Sequence, residues 1–101
     1  MKVVRSVPEN MKFLADPTGR VIIEFYANTK AEVLDFPSIP FLTLHLAFLV
    51  EDPEKTAEKL LVAGATIAEP YKKTPAGDRM IMLRDPFGIS IQFIKRRSSM
   101  F

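Results

Sequence analysis

His45 is the only histidine in the chain, and there is no cysteine. These two counts narrow the available chemistry. A thiol nucleophile, a disulfide and a thiolate-ligated metal are all excluded, and no site within one chain can use two imidazoles. Three polar side chains are then placed in an informative way. Over 41–50, alternation puts Leu42, Leu44, Leu46, Phe48 and Val50 on one strand face and Phe41, Thr43, His45, Ala47 and Leu49 on the other. The first set is uniformly bulky and should pack on a helix; the second is smaller and holds the histidine. Over 21–26, Val21, Ile23 and Phe25 oppose Ile22, Glu24 and Tyr26. Over 89–94, Ile89, Ile91 and Phe93 oppose Ser90, Gln92 and Ile94. Each strand carries one polar group mid-strand, opposite its bulky set. That pattern implies a sheet whose concave face holds a partly polar cavity.

The elements that must position these groups can be read in turn. Asp52-Pro53-Glu54 opens the clearest helix, since an Asp side chain accepts from early backbone amides and Pro suits the first helical position. Ala57, Leu60 and Leu61 share one face, and Gly64 stands where a left-handed stop is needed, so the helix is expected over 53–63. Further strands are expected over 2–6, 11–14, 66–69 and 79–83. The segment 70–78, with two prolines and a glycine, reads as a loop, and 27–40 as a linker. Met80 and Met82 alternate with Ile81 and Leu83, as core or cavity packing would require.

An internal repeat runs through the chain. Phe13-Leu14-Ala15-Asp16-Pro17-Thr18-Gly19 resembles Met82-Leu83-Arg84-Asp85-Pro86-Phe87-Gly88. Asp-Pro-x-Gly makes a tight turn: Asp bonds to the backbone ahead, Pro presets φ and Gly tolerates a positive φ. The strands that follow match if the first copy carries one inserted residue, which puts Glu24 and Gln92 at related positions. Upstream, the segment from Met1 matches the segment from Gly64.

The 101 residues, 48% apolar and 26% charged, describe an ordinary globular chain rather than a disordered or fibrous one. The longest apolar run, 39–50, is interrupted by Pro40, Thr43 and His45 and is too short for a bilayer, which needs roughly 20 residues. With no signal-peptide pattern at the N-terminus, a cytoplasmic location is expected. The net charge of +2 gives no nucleic-acid footprint, and Lys95, Arg96 and Arg97 read as the start of a solvated, frayed tail.

A repeated strand–helix–strand–strand–strand unit, with Asp-Pro-x-Gly before a last strand carrying Glu or Gln, resembles the vicinal oxygen chelate superfamily. Its members include glyoxalase I, methylmalonyl-CoA epimerase, extradiol dioxygenases, and fosfomycin- and bleomycin-resistance proteins. His45-Leu46-Ala47-Phe48-Leu49-Val50 followed by Asp52-Pro53-Glu54-Lys55-Thr56 is similar to a module's first strand and helix start. Leu61-Val62-Ala63-Gly64-Ala65-Thr66 is similar to the helix end and next strand, and Leu83-Arg84-Asp85-Pro86-Phe87-Gly88 to the final hairpin. The resemblance implies an α+β fold of tandem βαβββ modules forming a curved mixed sheet, the first module lacking its first strand and helix. On that reading 1–26 is a partial first module of three strands, 27–40 a linker, 41–97 a complete βαβββ module and 98–101 a tail.

In the metal-using members the ligands come from the first and last strands of each module. The resemblance carries Glu24, His45 and Gln92 onto such positions as candidate ligands of one divalent ion (Zn, Ni, Co, Mn or Fe), with a fourth ligand from a strand this chain lacks. Imidazole and carboxylate suit such an ion, and an amide oxygen coordinates more weakly. The metal would stabilise an enolate-like oxyanion as a Lewis acid. Glu24 would be the proton-moving carboxylate, since the Gln92 amide does not accept a proton near neutral pH. The extra residue between Gly19 and Glu24 changes the usual spacing, and a β-bulge would restore its direction. Two roles stay open for each group: ligand or cavity-lining imidazole for His45, ligand or salt-bridged carboxylate for Glu24, ligand or hydrogen-bonding amide for Gln92. Tyr26, Thr43, Ser90 and Met82 are expected to line the cavity.

Two functions follow. One is a metal-dependent lyase or isomerase of glyoxalase or epimerase type acting on a small chelating substrate. The other is a metal-free, resistance-type protein that holds a small apolar or aromatic molecule. Extradiol chemistry is disfavoured, because it uses two histidines and a carboxylate on iron. An uncovered apolar face and an unpaired sheet edge in the first module imply a homodimer. No nucleic acid or membrane partner is expected.

Overall fold

The computed structural model describes residues 1–7 and 11–100. The chain divides into two compact units, Met1–Leu34 and Asp35–Phe101. Phe101, assigned from sequence to the tail, lies outside the described residues, as does the segment 8–10 of the first module.

The N-terminal unit holds strands β1 (Lys2–Val7), β2 (Met11–Ala15) and β3 (Ile22–Tyr26) in an antiparallel sheet of order β1-β2-β3. The C-terminal unit holds β4 (Leu46–Leu49), helix α1 (Pro53–Val62), β5 (Thr66–Lys73), β6 (Arg79–Arg84) and β7 (Ser90–Lys95). Its sheet has the order β4-β7-β6-β5 and is mixed: β4 runs parallel to β7, and the other pairs are antiparallel. The α+β architecture is the expected one.

Helix α1 forms where its signals stand. The Asp52 carboxylate accepts from the Lys55 amide at 3.1 Å, Pro53 fills the first turn, and Gly64 turns the chain away at a φ of 112°. The helix buries Ala57 against Ile81, Leu83 and Phe93, with Phe48, Val50, Leu60, Ala65 and Ile91 packed around that cluster. Leu83 is its centre, only 1% exposed. Alternation therefore works as expected on β6 and β7, whose odd-numbered residues face the helix. The Phe48 and Phe93 rings, partners in the β4–β7 register, stack with centroids 6.1 Å apart.

The repeat is exact in hydrogen-bond register at one end and shifted at the other. In the second turn Asp85 N donates to Ile89 O, and Asp85 Oδ1 accepts from the amides of Phe87 and Ile89. In the first, the closing pair is Asp16 and Val21, and Asp16 Oδ1 accepts from Arg20 and Val21. The inserted residue is thus absorbed within the turn. Beyond it the strands agree: Phe13 pairs with Glu24 as Met82 pairs with Gln92. No bulge in β3 is required, and its ladder with β2 is regular. A bulge does recur in the preceding strands, between Val3 and Arg5 in β1 and between Ile67 and Glu69 in β5. That register matches Lys2 to Thr66, one residue along from the sequence alignment of Met1 with Gly64.

Three other expectations change. The strand expected over 41–50 begins only at Leu46, because Pro40 starts a turn whose carbonyl accepts from the Thr43 amide at 2.9 Å. Leu42 and Leu44 are consequently exposed, and only Phe48 and Val50 of the bulky face reach the helix cluster. Strand β5 continues through Pro70 to Lys73 instead of ending at 69. Its edge position and a second irregularity between Glu69 and Lys72 allow a residue without an amide hydrogen. The basic cluster is also held in place: Arg96 Nη1 bonds Asp78 Oδ2 at 3.0 Å, and Arg97 N donates to Asp78 Oδ1 at 2.9 Å.

Candidate functional site

The face of the C-terminal sheet opposite α1 is built by strand parity. It carries Ala47 and Leu49 from β4, Ser90, Gln92 and Ile94 from β7, and Met80, Met82 and Arg84 from β6. The register sets Gln92 between Ala47 and Met82, with Ile94 between Leu49 and Met80. Met82 and Ser90 are each 4% exposed and Gln92 is half-buried. The Gln92 side-chain amide donates to the Met80 thioether at 3.5 Å. A thioether is a weak acceptor, so a ligand oxygen would displace it readily. The result is a soft, polarisable platform with one amide at its middle, suited to an apolar or aromatic body carrying a hydrogen-bonding group.

His45 stands just before β4, in the same parity as Ala47, and is exposed. Its Nδ1 lies 2.7 Å from the Phe41 carbonyl oxygen. A carbonyl only accepts, so Nδ1 carries the proton, and in the neutral ring Nε2 is left as the acceptor or ligand atom. Thr43 sits in the turn before it, exposed, its amide bound to Pro40. Thus Thr43, His45, Met82, Ser90 and Gln92 belong to one unit.

Glu24 and Tyr26 belong to the other, on one face of β3. Both are exposed, Tyr26 by 62%. Glu24 is solvated, so its carboxylate needs no salt-bridge partner to offset burial. Among the described residues no three His, Asp or Glu side chains come together as a metal-holding group. On this face the C-terminal unit offers an imidazole and an amide but no carboxylate, and that donor set is not by itself that of a divalent-metal centre.

Sequence reasoning missed Arg84. Its Nη1 donates to the carbonyls of Gly88 at 2.7 Å and Phe36 at 3.1 Å, and its Nη2 to that of Ile39 at 2.8 Å. The fork ties the 3-10 turn Phe36–Ser38 to the Asp85–Gly88 turn, across 48 positions of sequence in the Phe36 bond. Shared parity with Met82 was the available signal.

The chain is similar in fold to solved glyoxalase-type proteins. A glyoxalase family protein from Bacillus cereus superposes with a TM-score of 0.71 at 22% identity, over 84% of this chain and 60% of that one. The chain therefore spans less than two thirds of that relative's length. Lactoylglutathione lyase from Agrobacterium tumefaciens superposes with a TM-score of 0.62 at 17% identity, over 93% of this chain and 74% of that one. A bleomycin resistance determinant encoded on the transposon Tn5 gives 0.54 at 16% identity, over 96% and 79%. No curated protein matches. At these identities the structures establish the fold, and the family is established by a sequence model that matches residues 1–93. The chain belongs to the Glyoxalase/Bleomycin resistance protein/Dioxygenase superfamily.

Proposed function

We propose that this protein binds a small apolar or aromatic molecule on the sheet face opposite α1, without a metal, in the manner of the resistance-type members. The observation that carries this reading is the half-buried Gln92 amide, held only by a thioether among the described residues and flanked by Met80, Met82 and Ile94. Titration of 15N-labelled protein with a panel of small aromatic alcohols and phenols tests it. Amide shifts centred on Ala47, Met82 and Gln92, weakened in Gln92→Leu, are expected. Shifts that avoid this face, or equal binding by Gln92→Leu, would overturn it.

One observation favours a second reading, a divalent-metal lyase or isomerase. The Phe41 carbonyl fixes His45 with Nε2 available, the arrangement a ligating histidine needs. Gln92, on the same sheet face, would be a second and weaker donor within the unit. Metal analysis of protein purified without a His-tag separates the two: stoichiometric metal lost in His45→Ala supports the enzyme, and a metal-free protein that still binds aromatics refutes it.

We also propose a homodimer. The N-terminal sheet exposes apolar side chains on both faces, Ile22 and Tyr26 on one and Phe25 on the other, surface suited to burial against a second copy. A monodisperse monomer in light scattering at micromolar concentration would refute this.

A further inference from the structure

The basic cluster Lys95-Arg96-Arg97 plays no part in the site described above, yet it lines a cavity of about 410 Å³ at the end of β4 and β7. The strand ends supply Leu49 and Ile94, and Met100 closes the apolar side from the following segment. Leu49 is 73% exposed and Met100 is also exposed, so apolar surface here meets solvent. The cations are not equally engaged. Arg96 is neutralised by Asp78 at 3.0 Å, while its buried Nε has no acceptor among the described residues. Among the described residues Lys95 makes a long ion-pair contact of 3.6 Å to Glu51, whose side chain is fully solvated. Such an exposed pair is worth little and yields easily to a better anion.

Arg97 is positioned by its backbone and its stem. Its amide is fixed by Asp78, and its aliphatic stem lies over Gly77, where a Cβ would come within 2.7 Å of Arg97 Cδ. Its guanidinium has no acidic partner among the described residues. Among the described residues, once Glu51 and Asp78 are set against the three cations, one positive charge remains at the rim of a partly apolar cavity.

We propose that this cavity is a second ligand site, taking a small organic anion with an apolar body and a carboxylate head. Leu49 and Met100 hold the body over the buried Ile94, and Lys95 and Arg97 hold the carboxylate. The volume is that of ordinary small-molecule sites, and concavity favours a small ligand over a flat charged surface. The cavity adjoins the Leu49 and Ile94 end of the face described above but uses neither Gln92 nor His45.

The probe is 1-naphthoate, with 1-naphthalenemethanol as its neutral counterpart, both titrated into the full chain and followed by 15N amide shifts. Naphthoate should shift Glu51, Arg96 and Ser99 and bind more tightly than the alcohol, with affinity falling as salt rises. Arg97→Gln should weaken naphthoate about fivefold at low salt, the scale of an exposed charge contact, and leave the alcohol unchanged. Met100→Glu, a surface change that spares the core, should weaken it further. Equal affinity for acid and alcohol, shifts centred elsewhere, or no effect of either substitution would each overturn the proposal.

Discussion

Replacing Arg84 by methionine keeps an apolar stem and removes the guanidinium fork. Three carbonyls, those of Phe36, Ile39 and Gly88, then lose a charged donor. A hydrogen bond to a charged group contributes about 1.5–3 kcal/mol when one partner is deleted. Arg84 is only partly buried, so water can reach the orphaned carbonyls and each loss falls to about 1 kcal/mol. The expected cost is therefore about 3 kcal/mol, against a total of about 5–15 kcal/mol for a domain of this size. Urea unfolding followed by far-UV circular dichroism should show a lower midpoint at unchanged slope. Amide exchange gives the local reading: Ser38 and Ile39, whose amides donate to Asp35 and Phe36 within the tethered turn, should lose protection before α1 does. Arg84→Lys keeps the charge but not the fork and should recover about 1 kcal/mol. A change below about 0.5 kcal/mol in Arg84→Met, with Ile39 still protected, would refute the idea that the fork holds the turn.

Two further outcomes are expected. Gly88 and Gly19 hold equivalent turn positions at φ of 91° and 67°, but a Cβ on Gly88 would lie 2.5 Å from Pro37 Cγ and 2.7 Å from Pro37 N, whereas Gly19 has open space. Gly19→Ala should cost about 1 kcal/mol for the left-handed backbone and Gly88→Ala about 3 kcal/mol, compared by urea midpoints; equal costs would show that the Pro37 approach is soft. Asp78 is held below the usual carboxylate range, first by the Arg97 amide and then by Arg96. A depressed folded pKa means the unfolded chain binds the proton more readily, so this stability is complete above about pH 4 and is lost as pH falls through the folded value. Asp78→Asn should therefore be less stable than the native chain at pH 7 and converge with it in acid melts; a constant gap at all pH values would contradict the assignment.

The sequence by itself determined the pieces whose signals are local. The Asp52 cap, Pro53 and Gly64 bound the helix, because a helix end is decided by the few side chains that satisfy its unpaired amides and carbonyls. The duplicated Asp-Pro-x-Gly turns and the two-residue period placed β2, β3, β6 and β7 and the faces of Glu24 and Gln92. Even the inserted residue was visible, although its absorption in the turn was not. Elsewhere a local turn the alternation hides, or long-range contacts, decided the outcome. Pro40 turned 41–44 out of the expected strand and left His45 at its threshold, with Nδ1 directed to Phe41. Pro70 was accommodated because β5 is an edge, which depends on strand order and not on residues 66–73 alone. Arg84 carried no role in the sequence beyond its place in the final hairpin, and the 95–97 cluster read as a solvated tail. Their partners, Phe36, Ile39 and Asp78, lie 18 to 48 positions away in the hydrogen bonds that the fold brings together, and no local pattern encodes such a separation.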